Sequence, residues 1–303
     1  MFFSCIKSDK NALMKNQEIH PNVVEFIQTL DAFIFEPGGK LDCYQRLEYP
    51  EEVCEIASGS GLKTVFLVAN SRMERYDWGS IRTLGTIADI CVNLEDETKN
   101  SPVLTYIQES TAGNAISPAL TPLRSEIVLR SLKCNFSGRP YSGEKLTDVK
   151  AYLTYVNASC SLIPEDRIMP SRIINAGWLN PYDLARFKEP ELIMKDLAID
   201  IGNSRITINH SFFCYGNGHD NESIGSPFTR LVIEGKIGRD TYYYPIRINP
   251  QNGGIKRASR YIYVVTIRRA GATHPDGSLD DTDIDINVGI EVWQEKEWQN
   301  IRY

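Results

Sequence analysis

Four residues in the C-terminal half of the sequence have side chains that could bind a metal ion: His210, Cys214, His219 and Asp220. Zinc takes three or four nitrogen, sulfur or oxygen ligands in tetrahedral geometry. In a β-strand His210 and Cys214 would share one face, because side chains alternate along the strand. The surrounding Asn and Gly residues, however, are typical of a strand end followed by an exposed loop. We therefore expect no metal ion here.

Other patterns that could support catalysis are weak. The glycines of Gly59–Thr64 resemble a phosphate-binding loop, but Leu62 precedes the lysine and a strand-like segment follows. The motif requires Gly-Lys and then a helix. No Gly-x-Ser-x-Gly elbow occurs, and the aspartates between positions 276 and 285 lack the spacing of a calcium-binding loop. We expect a protein that is not an enzyme and that has no cofactor.

The cysteines divide into two groups. Those after Cys5 lie mostly among apolar residues and form no Cys-x-x-Cys pair, which favours buried free thiols over disulfides. Cys5 follows Met-Phe-Phe-Ser and precedes a polar segment, which is the pattern at the end of a bacterial lipoprotein signal. We expect lipidation at Cys5 and a lipoprotein-like tether over residues 1–22. The alternative is an unmodified cysteine in a frayed terminus.

The composition excludes several classes of protein. The chain has 303 residues, a net charge of −6, 42% hydrophobic and 24% charged residues. This length is enough for two domains, and the negative net charge gives no overall attraction to nucleic acid. No apolar run approaches the roughly 20 residues that cross a bilayer as a helix.

Short strand-like segments separated by turns dominate the sequence. Leu30–Phe35 and Lys63–Asn70 are bounded apolar runs. One helix is predicted from Trp78 to Cys91, with Asp77 as its N-cap. Ser110–Pro122, rich in small residues, is interpreted as a linker.

The strand pattern becomes denser after this linker. Pro164–Pro190 is predicted to be an insertion with a short helix near Tyr182–Phe187, and no βαβ rhythm appears. Many short strands at this spacing indicate an all-β protein of sandwich type. We predict a first sandwich domain over 23–121 and a second over 122–303.

Five segments in this order resemble the fimbrillin family, which comprises the major fimbrial subunits of type V pili and their anchor and tip relatives. They cover nearly the whole chain from Val23 onward. The segments are Leu30–Phe35 with Gly38 and Gly39, Gly61–Asn70, Leu123–Leu132, Tyr242–Asn249, and Ile255–Ile267 followed by an acidic linker and a last strand ending at Trp293.

The resemblance implies two transthyretin-like, Greek-key β-sandwich domains with one short helix in the first. It implies export as a lipoprotein, a lipid anchor in the outer membrane, and a structural role as the stalk, tip or anchor of a cell-surface fimbria. Its partners would be other fimbrial subunits, joined head to tail by β-strand donation, and a host glycan or protein. Family stalk subunits lose their first strand to an arginine-specific protease, and the C-terminal strand of the next subunit fills the groove.

Arg46 is the first arginine and therefore the candidate protease site. It follows the Leu30–Phe35 strand instead of preceding it, which favours an uncut anchor or accessory subunit, or a chain whose groove is already open. The last strand either fills such a groove in a neighbour or completes its own sandwich. Its donor candidates, which share one face, are Ile284, Ile286, Val288, Ile290 and Val292.

Two rival functions stay open at this point. A carbohydrate-binding surface lipoprotein that does not polymerise would use Tyr242–Tyr244, Trp178 or Trp78 as an exposed stacking platform, and burial of those rings would exclude it. A metal-dependent enzyme would be built around His210, Cys214 and His219.

Overall fold

A computed structural model describes residues 2–4, 27–50, 53–71, 78–163, 169–219, 222–223, 225–277, 279 and 284–292. Its strands are β1 Phe2–Ser4, β2 Thr29–Phe35, β3 Leu41–Glu48, β4 Val53–Glu55, β5 Leu62–Ala69, β6 Cys91–Asn93, β7 Leu104–Thr111, β8 Ala115–Ile116, β9 Thr121–Pro122, β10 Arg124–Cys134, β11 Thr147–Thr154, β12 Val156–Asn157, β13 Ser159–Ser161, β14 Ile173–Ile174, β15 Met194–Asp196, β16 Ile206–Tyr215, β17 Arg230–Ile237, β18 Asp240–Arg247, β19 Ser259–Ile267 and β20 Ile284–Val292. The α-helices are α1 Leu84–Ala88 and α2 Pro181–Leu184, and single 3-10 turns span Trp78–Ser80, Leu94–Asp96, Pro190–Leu192 and Pro250–Asn252.

The first sandwich packs a five-stranded sheet, in the order β3-β2-β5-β7-β9, against a three-stranded sheet, β4-β1-β8. β2 explains this arrangement, because it is apolar on both faces. Leu30 and Ile34 pack towards the three-stranded sheet, while Phe33 and Phe35 pack on the opposite side with Trp78. Alternation of side chains along a strand thus supplies two cores from one segment.

The second sandwich packs the sheet β16-β10-β19-β20 against the sheet β15-β11-β17-β18. β10 and β19 run parallel at its centre, whereas the other neighbours are antiparallel. The core between the sheets contains Leu129, Leu153, Ile233 and Tyr263. The all-β sandwich prediction is confirmed.

Three local predictions differ from the structure. The predicted helix is reduced to α1, because Thr83 caps it and accepts from the Thr86 amide, and Cys91 already belongs to β6. The segment interpreted as a linker instead contains the end of β7 together with β8 and β9. The helix expected near Tyr182–Phe187 is α2, which begins earlier behind the N-cap Asn180.

The two sandwiches meet along a short ladder. β6 pairs antiparallel with β13, and the Leu94 amide donates to the Ala158 carbonyl at 3.0 Å. β9 belongs to a sheet of the first sandwich and β10 to a sheet of the second, so the chain passes from one to the other near the expected boundary. The division into domains at 121/122 stays a prediction. Of the tether predicted over residues 1–22, Phe2–Ser4 form β1, and its other residues lie outside the described part of the chain, as does Asp77. No helix among the described residues is long and apolar enough to span a bilayer.

Candidate functional site

A three-residue strand lies at the centre of the smaller sheet of the first sandwich. β1 pairs antiparallel with β4, where Phe3 lies opposite Cys54, and parallel with β8, where Phe3 lies opposite Ile116. In the described part of the chain, only β1 connects β4 with β8. We call the strip between β4 and β8 the β1 groove. Without β1, both of its sides would be unpaired strand edges.

The floor of the β1 groove is apolar. Residues of β4, β8 and the segment after β4 form a buried cluster with the facing side of the five-stranded sheet. An open groove would therefore expose both unpaired backbone and hydrophobic surface, and a strand of suitable sequence would satisfy both. The cluster consists of Leu30, Ala32, Ile34, Cys54, Ile56, Val65, Leu67, Ala69, Leu104 and Ile116.

β20 is an edge strand of the second sandwich. It pairs over nine residues with β19, from Ile284 opposite Ile267 to Val292 opposite Ser259. Ile284 is buried in the main core, whereas the side chains of the other donor candidates, Ile286, Val288, Ile290 and Val292, are not among those described. In the structure the strand completes its own sheet, and its donation to another chain stays a prediction.

Arg46 lies on β3 with its side chain only 16% exposed. Its Nη1 lies 3.0 Å from Oδ2 of the fully buried Asp31, and its Nε lies 2.7 Å from Oε1 of Glu48. Ser71 and Tyr44 also donate hydrogen bonds to the Asp31 carboxylate. A protease specific for arginine must take the guanidinium into its own pocket, so Arg46 would first have to leave Asp31. Cleavage at Arg46 stays a prediction, as does lipidation of Cys5, which lies outside the described residues.

Buried charges join the two sandwiches beside the β6–β13 ladder. Nη1 of Arg124 lies 3.0 Å from Oε2 of Glu97, and these side chains are 1% and 2% exposed. Tyr215 donates to the other Glu97 oxygen at 2.6 Å, and the guanidinium lies 4.0 Å from the centre of the Phe213 ring. Burial raises the pKa of Glu97, while Arg124 and Tyr215 oppose that rise.

Further polar contacts cross the same junction. Glu95, also buried, accepts hydrogen bonds from Arg172 and Arg186 of the second sandwich. Arg257 donates to the Pro122 carbonyl at 3.1 Å and to the Thr105 hydroxyl at 2.7 Å. Sequence reasoning missed this junction, because an acidic run such as Glu95–Glu97 is typical of a solvated loop. Arg124, a charged residue at the start of β10, was the one sequence feature that pointed to a buried charge here.

Three of the four residues considered for metal binding are described, and His210, Cys214 and His219 do not come together as a site. Nε2 of His210 lies 3.0 Å from the Glu191 carbonyl, and Cys214 is fully buried with its pKa raised by burial. No group of three or more His, Cys, Asp or Glu in the described ranges is arranged to hold an ion. Asp220 and the aspartates at 280, 281 and 283 fall outside those ranges. None of the six cysteines after Cys5 forms a disulfide.

The rings considered as a stacking platform have different environments. Trp78 and Tyr244 are buried, which excludes them, and Tyr242 and Tyr243 are partly buried. Trp178 is 49% exposed, and Tyr182, which was not considered for this role, is 83% exposed. Of the rings in this comparison, only Trp178 and Tyr182 are largely exposed, and both lie on the insertion.

Comparison with known proteins gives similarity of fold. The sequence matches no family model and no curated protein sequence. A proposed cell adhesion protein from Bacteroides eggerthii has a TM-score of 0.65 at 17% identity, covering 88% of this chain and 89% of that one. A second, from Parabacteroides distasonis, has a TM-score of 0.67 at 12% identity over 98% and 97% of the two chains. A fimbrilin from Porphyromonas gingivalis has a TM-score of 0.61 at 14% identity over 88% and 91%. The predicted resemblance to fimbrillins is thus confirmed as a shared fold.

Proposed function

We propose that this chain is a structural subunit of a cell-surface fimbria that acts in adhesion and is assembled by β-strand donation. The structural neighbours include a fimbrilin and proposed cell adhesion proteins, which supports the fimbrial and adhesive role. The observation that carries the assembly step is the β1 groove, since among the described strands one short strand joins β4 to β8. The lipid at Cys5 would hold the subunit at the outer membrane.

The position of β1 connects this proposal to the expected lipidation. Lipoprotein processing removes the residues that precede the modified cysteine, and β1 lies directly before Cys5. Maturation at Cys5 would therefore remove β1 and open the groove without any cut at Arg46. This route agrees with the ion pair of Arg46 with Asp31, which protects that side chain.

β20 is the proposed donor. It is held by one ladder at the edge of its sheet, so that it can leave without dividing the sheet. Its apolar face would fill the β1 groove of the next subunit, and its backbone would pair with β4 and β8. Donation from one subunit to the next does not close on itself and builds a filament.

The experiment compares the full chain with a variant lacking Met1–Ser4, both run on gels without boiling. We expect a ladder of SDS-resistant multimers only from the shortened chain. Val288→Asp places a charge on the apolar face of β20 and should abolish the ladder, whereas Asn287→Asp on the opposite face should not. Because Val288→Asp could instead unfold its own sandwich, excess peptide of sequence 284–292 is added to the shortened chain as a second test.

The two tests have clear outcomes. Loss of the ladder with the peptide, but not with a scrambled peptide, supports donation. A ladder that is identical in Val288→Asp, or a shortened chain that folds and stays monomeric, refutes it. The latter result would favour the alternative function, a carbohydrate-binding surface lipoprotein that does not polymerise.

A further inference from the structure

Two exposed aromatic rings stand on a loop that is otherwise firmly fixed. Trp178 and Tyr182 are four positions apart, so their Cα atoms are separated by at most about 15 Å. Between them lie the N-cap Asn180 and the first residue of α2, Pro181. Neighbouring exposed apolar side chains mark interaction sites more often than single ones do, and aromatic residues are enriched in binding sites.

A buried asparagine holds this loop in place. The Asn175 side chain donates to the Leu153 carbonyl at 3.0 Å and accepts from the Asn180 amide at 3.1 Å. Its own amide donates to Oδ2 of Asp183 at 2.9 Å, and its carbonyl accepts from the Tyr155 amide at 3.0 Å. The backbone between β14 and α2 is therefore fixed before any ligand arrives, which lowers the entropic cost of binding.

The backbone at the base of this loop is strained. Asn175 and Tyr155, which are hydrogen-bonded to each other, both adopt the left-handed region, with φ of 49° and 52°. An aromatic residue rarely adopts this conformation, and such strain persists mainly where the surrounding structure enforces it, often beside a functional site. Gly177 is also left-handed, and an added Cβ there would lie 3.2 Å from the Tyr155 hydroxyl.

The chemistry of the loop selects one kind of ligand. Two of the charges beside it are in ion pairs, Asp276 with Arg230 and Arg186 with Glu95. The Asp183 carboxylate accepts a hydrogen bond from the neutral Asn175 amide, which leaves its negative charge in place. An acidic ligand would therefore meet the negative charge of Asp183 at this loop, and the cation nearest to it in the sequence, Arg186, is already paired. The ring faces offer apolar surface, and the Trp178 indole N–H, the Tyr182 hydroxyl and the Asn180 side-chain NH2 can form hydrogen bonds. The Asn180 Oδ1 already accepts from the Tyr182 amide.

The small area of the patch also limits its partner. An aromatic side chain covers about 150–250 Å², and Trp178 is already half covered. A stable protein interface needs about 800 Å² from each partner, which two separated rings do not supply. Sugar rings combine an apolar C–H face with hydroxyls at the edge, and they match both the area and the polarity of this loop.

We propose that Trp178, Asn180 and Tyr182 form a binding site for a neutral oligosaccharide. This site deepens the adhesive part of the proposed function. It rests on that function because a cell-surface location is what would bring the chain into contact with glycans. It does not depend on polymerisation, because the site lies within one chain.

The test is a panel of immobilised neutral and acidic oligosaccharides probed with the full chain as a monomer. We expect binding to at least one neutral glycan, with at least a tenfold loss in Trp178→Ala and in Tyr182→Ala. Tyr49→Ala is the matched control, since Tyr49 is a 71% exposed tyrosine in the first sandwich, and its binding should be unchanged. Circular dichroism shows whether each variant is folded.

Three results would overturn the inference: no glycan bound, binding confined to acidic glycans, or equal binding by folded Trp178→Ala. Failure here is distinguishable from failure of the proposed function, because multimer formation by the chain without Met1–Ser4 is measured separately. Multimers without glycan binding would refute only the site. Glycan binding without multimers would refute only strand donation.

Discussion

The Arg124–Glu97 pair predicts the effect of removing one of two buried charges. Arg124→Met would leave Glu97, which is 2% exposed, without its ion-pair partner. Breaking a buried ion pair by removing one partner costs about 3–5 kcal/mol, because the other charge stays desolvated. At about 2–4 °C per kcal/mol for chains somewhat shorter than this one, the melting temperature should fall by roughly 6–20 °C.

A second substitution isolates the cause of that loss. In Arg124→Met/Glu97→Gln the residue at 97 is neutral but still accepts the Tyr215 hydroxyl, so we expect the double variant to recover about half of the loss. The assay is thermal unfolding followed by circular dichroism. Lys236→Met is the control, because Lys236 and its partner Asp148 are exposed, and it should melt like the parent chain.

The dependence on pH gives an independent test of the same reasoning. Burial already raises the pKa of Glu97 in the folded chain, and losing Arg124 would raise that pKa further. The folded state of Arg124→Met would then bind more protons than the unfolded state above about pH 4.5, so its stability should fall as pH rises. This added loss should vanish in the double variant. A single variant that melts like the parent, or a double variant as unstable as the single one, would refute the argument.

Three further predictions concern other described residues. Asp31→Asn should release Arg46 and increase cutting there by an arginine-specific protease, as seen by mass spectrometry; equal cutting in both chains would contradict the protective role of the ion pair. Burial lowers the pKa of His210 from 6.5 in the folded chain, so the folded state loses stability as pH falls from 6.5 towards that lowered pKa. In His210→Gln the urea midpoint of unfolding should depend less on pH between 7 and 5, and an unchanged pH dependence would contradict this. Iodoacetamide should label exposed Cys91 in the native chain, but label buried Cys134, whose pKa is raised to about 12, only after unfolding; native labelling of Cys134 would contradict this.

The strands were the most predictable part of the fold. Leu30–Phe35 is β2 extended by one residue, and Leu62–Ala69 differs by one position from the predicted run. Bounded apolar segments identify strands because both faces of these strands are buried. The helix was overestimated, since Trp78, Ile81 and Ile87 are buried without forming one continuous helix.

The charged junction could not be predicted for a physical reason. Glu97 finds its partners 27 and 118 residues away, at Arg124 and Tyr215. Only tertiary packing brings these groups together, and local sequence contains no record of it. The candidate glycan site was half predicted, because Trp178 was considered while Tyr182 was placed in a helix without a role.

The parallel pairing of β10 with β19 has a consequence for how the chain acquires its structure. Every strand of the first sandwich lies before position 123, so that unit can form early. β10 ends at Cys134 but lacks its central neighbour until Ser259–Ile267 has been synthesised. Such distant contacts form slowly, and an early chain would present β10 with an open edge and apolar faces, a state prone to aggregation. A chaperone that binds extended segments would therefore find its longest-lived target in residues 124–134.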